Sequence, residues 1–530
     1  MTMTQWFIFF LILQVIHFAG TWKLYVKAGR QAWEAIIPIY NAVILMKIIN
    51  RPKWWVILLF IPIINLIMFP VVWVETIRSF GRHNKADTWL VVLTLGLYIF
   101  YINYATDVNY IEDRSLKPRT ATGEWVSSIL FAVVAATLVH TYFIQPYVIP
   151  TSSLEKTLLV GDFLFVSKFH YGARTPMTTV SLPMVHDTIP KLGIKSYVHE
   201  NDANKAKNSL LNKLQLPYFR LPGFQDVKRN EIVVFNWPAD TVEQFFKHTN
   251  KKIRKPIDKK SNYVKRCVGI PGDSLEIKDG YIYINGERTV LPERAKPQFT
   301  YFAKVKQGSN INPQYMYERY GVTDPIFPQQ NGIYAFTALT EDAAEQLKNN
   351  PNIESIQRYV EPKPETNQGV FPGAPQFAWN QDQFGPIYIP KKGQTIDISL
   401  ETLPLYNKII EEYEGNELKV SGNQILINGK TTTQYTFNQD YYWMMGDNRH
   451  RSEDSRFWGY VPEDHIVGKP VFVWMSWDSN ASGLDKIRWE RLFTTVNGDG
   501  KPVSYFKYFV ILLVGYLIFA EIRKRKKKKA

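Results

Sequence analysis

The chain has 530 residues, 45% of them hydrophobic, a formal charge of +15 and one cysteine. A lone cysteine excludes an internal disulfide, so each domain must rest on its own apolar core. The excess charge could serve nucleic acid or an anionic membrane, but much of it sits at 523–529, directly behind an apolar run, which selects the membrane and no nucleic acid.

Apolar runs of membrane length, roughly 20 residues each, lie at 6–22, 54–74, 88–104, 125–147 and 504–522, and predict five crossings. No basic stretch precedes Trp6 and no small-residue cleavage site follows, so a cleaved signal peptide is not expected. Lys23, Lys27, Arg30, Lys47, Arg51 and Lys53 fall between the first two runs and place that loop in the cytoplasm. Counting onward, 148–503 lies outside and the KRKKKK tail returns to the cytoplasm; the loop 75–87, with Arg78, Arg82 and Lys85, falls outside against the rule. The expected organisation is a helical membrane module at 1–104 with about three spans, a cytoplasmic loop at 105–124 and a transmembrane anchor at 125–147. An extracytoplasmic β domain at 148–503 follows, then a transmembrane segment with its basic tail at 504–530. Within the first module IPIYN at 37–41 and IPIIN at 61–65 repeat, each near a helix boundary.

After the fourth run comes IPTSSLEKTLLVGDFLFVSKF at 149–169. Pro150 fixes the backbone entering a turn, Thr151, Ser152 and Ser153 supply hydroxyls, and the alternation from Phe163 to Lys168 predicts a strand. Strands are also expected at 230–237, 262–269, 441–445 and 471–474, and Asp-Gly and Asn-Gly turns predict hairpins at 274–287 and 417–430. Two polar stretches, near 178–226 and 288–400, read as insertions rich in loops, the second with a short helix at 341–349.

No HExxH, paired cysteines or G-x-S-x-G elbow occurs, so neither zinc chemistry nor a Ser-His-Asp triad is expected, and no cofactor is implied. What remains is a serine with a lysine. A lysine becomes a general base only when burial lowers its pKa by several units; Lys265, in a short apolar strand, meets that requirement. Lys156 competes, because Ser153-Leu154-Glu155-Lys156 fits the S-x-x-K pattern of penicillin-reactive acyltransferases, although its flanks are strand-like where that pattern needs a helix.

Taken together, PTSSLEKTLLVGDFLFVSKF from Pro150, RNEIVVFNWP from Arg229, YVKRCVGIPGDSLEI from Tyr263 and GDNRHRSEDSRFWGYVPEDHIVGK from Gly446 resemble the bacterial type I signal peptidases, membrane-bound Ser/Lys proteases. The resemblance spans 125–480 outside the two insertions and leaves 1–104 unaddressed. It implies a multi-span helical N-terminal region joined to a mostly-β catalytic domain in the inner (plasma) membrane, acting on exported preproteins with signal peptides beside membrane lipid and the secretion translocon. It further implies Ser153 as nucleophile, Lys265 as base, an oxyanion hole from the Ser153 N–H and the Thr151 hydroxyl, and Ser452 as the residue orienting the lysine. Arg266, Asp447, Asp454 and Arg456 would support the site, and Ile149, Pro150, Leu154 and Val264 would contact substrate. Two positions depart from the pattern: Leu154 stands for the usual Met and Lys156 for the usual Pro. A non-catalytic membrane scaffold and the S-x-x-K acyltransferase are the alternatives.

Overall fold

The structure, a computed structural model, describes residues 1–206, 209–241 and 253–529. Positions 207–208 of the first expected insertion and residue 530 of the tail lie outside the described residues. The chain divides into two units, one of 1–143, 173–221 and 240–261, the other of 144–172, 222–239 and 262–530.

The first unit is helical at its N-terminal end. Met3–Lys27 and Ala121–Phe143 are long and apolar enough to cross a membrane; Lys85–Leu93 and Tyr98–Ala105 would make a third crossing only as a pair bent by 119°. The expected crossing at 54–74 is not one helix, because the chain leaves Trp55–Leu58, passes Pro62 and a left-handed Ile63, and restarts as Ile64–Ser79. The run at 88–104 breaks likewise at Leu95 and Gly96, both at positive φ. At the C-terminus Phe506–Lys529 is one helix, with an uncharged stretch at 508–520 between Lys507 and Glu521. The two IPI-x-N repeats share one backbone geometry: Ile39 and Ile63, at φ 67° and 70°, each precede a helix, a conformation a β-branched side chain rarely adopts. Glu75, buried in the helical N-terminal part, is held by Arg51 at 2.8 Å and Arg114 at 2.6 Å, so its charge is compensated inside the unit. Apart from the short helices Ala203–Ala206 and Leu210–Lys213, the described residues of 173–221 are irregular, and they are pinned by Asp258, whose carboxylate accepts from the Thr178 N–H and hydroxyl at 3.0 and 2.8 Å.

The second unit is built on an eight-stranded sheet. We number seven of its strands β1 (Ile144–Val148), β2 (Asp162–Ser167), β3 (Ile232–Asn236), β4 (Asn262–Gly269), β5 (Tyr441–Met445), β6 (Val461–Pro462) and β7 (Ile466–Ser476). Their order is β1-β2-β7-β3-β4-β5-β6, and Thr494–Thr495 pairs beside β7. β3 is buried along its whole length, which is why it reads as a continuous apolar run and not an alternation. The hairpin Ser274–Lys278 to Tyr281–Ile284 closes through Asp279 and Gly280, both at positive φ, as the Asp-Gly pair demands. The second expected insertion has the expected short helix, Glu341–Lys348, and an irregular stretch at 359–383, but it is not loops alone. It holds a four-stranded sheet, in the order Ile353–Arg358, Gln298–Val305, Ile333–Thr340, Ile326–Pro328, over its own core of Phe299, Tyr301, Phe336, Leu339 and Leu347. Interleaved Lys, Gln and Thr lower the apparent hydrophobicity there, but Phe299, Tyr301, Ala303 and Val305 alternate inward.

Candidate active site

Ser153 lies in a single 3-10 turn, Ser152–Leu154, in the connection from β1 to β2. Ile149 and Leu154 are buried in a core with Leu158, Leu164, Val166 and Ile232, so the turn is seated from below by apolar side chains. Lys265 is on β4, opposite Val233 of β3; on the other side β5 reaches along β4 only as far as Arg266. Two segments that are 112 positions apart in sequence thereby meet: Lys265 Nζ donates to Ser153 Oγ at 2.6 Å.

Both partners are shielded, Lys265 being 3% and Ser153 7% exposed. Burial pushes the Lys265 ammonium down to about 8, against the opposing pull of the Asp454 and Glu453 charges. An amine with such a pKa is partly neutral near physiological pH, where its lone pair can take a hydroxyl proton.

Two buried ion pairs frame this couple. Arg266, next to Lys265 on β4, meets Asp447 with Nε on Oδ1 at 2.8 Å and Nη2 on Oδ2 at 2.6 Å, and Thr157 Oγ1 donates to the same Oδ2 at 2.6 Å. Arg456 grips Asp454 through Nε and Nη2, both at 2.9 Å, and Asp454 also accepts the Gly446 N–H at 3.1 Å. Burial alone would push both carboxyls up; the arginines beside them hold each below the ordinary aspartate value. Bidentate pairing of this kind fixes direction as well as charge.

Gly446 shows why that position carries no side chain. A Cβ there would stand 2.2 Å from Ser452 Oγ and 2.5 Å from the Ser153 carbonyl oxygen, so the box beginning at Gly446 packs backbone to backbone against the serine turn. Ser452 Oγ is buried and has no hydrogen-bond partner among the described residues; the bond to Lys265 expected from the resemblance is therefore absent in this arrangement. Thr151, Pro150 and Ser452 line a cleft of about 700 Å³. Of the residues expected to touch substrate, Pro150 lines this cleft and Val264 is half-buried at the core's edge, whereas Ile149 and Leu154 lie inside the core.

Lys156 points elsewhere. It sits at φ 70° and its Nζ donates to the Gly321 carbonyl, so the S-x-x-K geometry does not form. His450, also on the cleft wall, has both ring nitrogens engaged, Nδ1 accepting the Thr300 N–H at 3.1 Å and Nε2 3.0 Å from Asp382 Oδ1. Sequence reasoning missed Asn448, Thr157, Glu453 and Asp324. Asn448 stands within the quoted GDN box and could have been found there, while Asp324 lies in a stretch with no motif at all.

A serine hydroxyl thus lies against a buried amine, beside a cleft and braced by two ion pairs. Residues 122–319 and 389–477, together more than half the chain, match the family described as "Signal peptidase, peptidase S26", and the chain belongs to that family. Residues 33–113 match a family of unknown function. The chain is 25% identical over 338 residues to Signal peptidase I of Buchnera aphidicola subsp. Baizongia pistaciae, covering 64% of this chain and 72% of the relative. It is 22% identical over 396 residues to the Haemophilus influenzae Signal peptidase I, covering 73% and 79%. With the Helicobacter pylori enzyme (strain 26695) it shares 25% identity over 391 residues, covering 72% and 93%.

Proposed function

We propose that this chain is a membrane-bound serine endopeptidase that removes N-terminal signal peptides from exported preproteins, with Ser153 as nucleophile and Lys265 as general base. The observation that carries the reading is the 2.6 Å contact between Lys265 Nζ and Ser153 Oγ, made by a buried amine pushed down to about 8. Neutral Lys265 takes the Ser153 proton as Oγ attacks the scissile carbonyl; the lysinium then returns that proton to the leaving amine. The Ser153 N–H and the Thr151 hydroxyl are the proposed oxyanion donors, and Thr151's place on the cleft wall supports this. The penicillin-reactive alternative would need Lys156 at Ser153, and that amine is committed to Gly321. Cleavage of a purified preprotein by wild type but not by Ser153→Ala is the direct test; equal cleavage by the two would remove the nucleophile from the scheme.

Because the base must be neutral, kcat/KM should rise about tenfold per pH unit up to a limb near pH 8, set by Lys265, and level off above it. Ser452, whose buried hydroxyl has no hydrogen-bond partner among the described residues, is the proposed orienting residue for that amine. If Ser452 turns its hydroxyl to Lys265 during turnover, Ser452→Ala should lower kcat on the order of tenfold, the worth of one hydrogen bond of roughly 1–3 kcal/mol, and move the limb, whereas Ser479→Ala should do neither. A wild-type rate and profile in Ser452→Ala would assign the box a purely structural part.

The proposed placement is the bacterial plasma membrane with the catalytic domain outside, among lipid and near the translocon; the two membrane-length helices found among the described residues support an anchored protein. In a Cys267→Ser background, Ser209→Cys and Asn310→Cys should react with an impermeant thiol reagent on intact cells while Lys526→Cys is protected. Labelling at 526 ahead of the other two would reverse the topology.

A further inference from the structure

The family match stops at 319 and resumes at 389, yet residues from the intervening segment reach the turn that bears Ser153. Asp324 is 8% exposed. Its Oδ1 accepts from Ser152 Oγ at 2.9 Å, and its Oδ2 accepts from Asn448 Nδ2 at 3.0 Å. Asn448 in turn holds the backbone on both sides of the nucleophile, its Nδ2 donating to the Ser152 carbonyl at 3.2 Å and its N–H to the Ser153 carbonyl at 3.1 Å. Arg451 Nε stands 3.6 Å from Asp324 Oδ1, so the carboxylate is charge-compensated where it works. Lys156 adds a strut three residues beyond Ser153, donating to Gly321, the left-handed residue that ends the helix Pro313–Tyr320. Further along the same segment, Asp382 holds His450 and the Phe371 N–H donates to the Arg456 carbonyl at 2.7 Å. The segment is thus fastened to the serine turn and to the box at 446–456 together.

The geometry points to Asp324 as a positioning residue of the active site, and to residues 320–388 as a working part of it rather than an appendage; this rests on Ser153 and Lys265 acting as the dyad. A lone 3-10 turn is short and has poorer hydrogen bonds than an α-helix, so its placement depends on what grips it from outside. Misplacement of a nucleophile by even an ångström can cost about 100-fold in rate. Asp324 touches neither Ser153 Oγ nor Lys265 Nζ; it sets the height of the turn through Ser152 and Asn448.

The test uses the full-length protein in detergent with a purified preprotein, measuring kcat, KM, melting temperature and pH profile for Asp324→Ala, Asp324→Asn, Ser152→Ala and the Asp324→Ala/Ser152→Ala double variant. Asp324→Ala is expected to lower kcat about 10- to 100-fold with KM and melting temperature near wild type and the limb near pH 8 unmoved. Asp324→Asn, which keeps one acceptor oxygen, should be intermediate, and the double variant should be no worse than Asp324→Ala, because both changes break one connection. A wild-type kcat in Asp324→Ala overturns the proposal. So does a fall in kcat that merely follows a fall in melting temperature in both Asp324 variants. Ser153→Ala, run alongside, separates this failure from failure of the dyad: persistent cleavage there would sink the dyad whatever Asp324 does.

Discussion

Lys265→Met should abolish preprotein processing, a loss on the order of 10³-fold or more in kcat, and at the same time make the protein more stable at neutral pH. Methionine keeps the length and apolar stem but cannot accept a proton from Ser153 Oγ, 2.6 Å away. The stability gain follows from burial. In the folded state the amine sits at about 8, against 10.5 for an exposed lysine, so folding is disfavoured wherever the unfolded chain would carry the proton more readily. That cost is present in full below pH 8, shrinks as pH rises through the folded value, and vanishes above the unfolded one. It amounts to on the order of 3 kcal/mol, offset by roughly 1 kcal/mol for the lost hydrogen bond. Denaturant titrations of wild type and Lys265→Met at pH 6.5 and at pH 10 should therefore differ clearly at the lower pH and converge at the higher. Lys156→Ala, by contrast, should keep most of the activity, since Lys156 is bonded to Gly321 and not to the serine. If Lys156→Ala were dead and Lys265→Met active, the signal-peptidase reading would fall.

Asp447→Ala carries the largest expected loss of stability. The substitution leaves the Arg266 guanidinium, 1% exposed, buried with its main anionic partner gone, and removes the acceptor for Thr157. Breaking a buried pair from one side typically costs about 3–5 kcal/mol, which would lower the melting temperature on the order of 10 °C. The sign with pH is opposite to that for the lysine. Arg266 holds the Asp447 carboxyl below its ordinary value, so the stabilisation is complete above the unfolded aspartate value of about 3.9 and is lost as pH falls through the folded one. Wild type and Asp447→Ala should accordingly approach each other only in acid. A melting temperature within a degree or two of wild type at pH 7 would show that the pair is not what holds β4 to the box at 446–456.

The catalytic strands were legible because their signals are local. β4 and β5 match the expected spans 262–269 and 441–445, since short apolar runs bounded by Gly, Asn and Asp leave few other readings. Lys265 stood out for the same reason, a cation in an apolar strand. The membrane count was less legible: composition marks 54–74 and 88–104 as spanning, but hydropathy averages over Pro62, Ile63, Leu95 and Gly96, where the backbone turns and the helices stop. The sheet within 288–400 was hidden because Gln298–Val305 and Ile353–Arg358 each turn several residues outward, and polar side chains at those positions mask the inward alternation.

Neighbouring residues alone encode membrane-length helices ahead of a β domain, and a serine and a lysine embedded in runs that bury them, because each of these follows from local chemistry. Folding brings the expected Lys265 within 2.6 Å of Ser153, seats the turn on Ile149 and Leu154 from the core, and carries Asp324 back across 172 positions to Ser152. Those are long-range contacts, set by sheet order and by how two sheets pack, and no local pattern in the chain encodes the distance between two residues that sheet topology brings together.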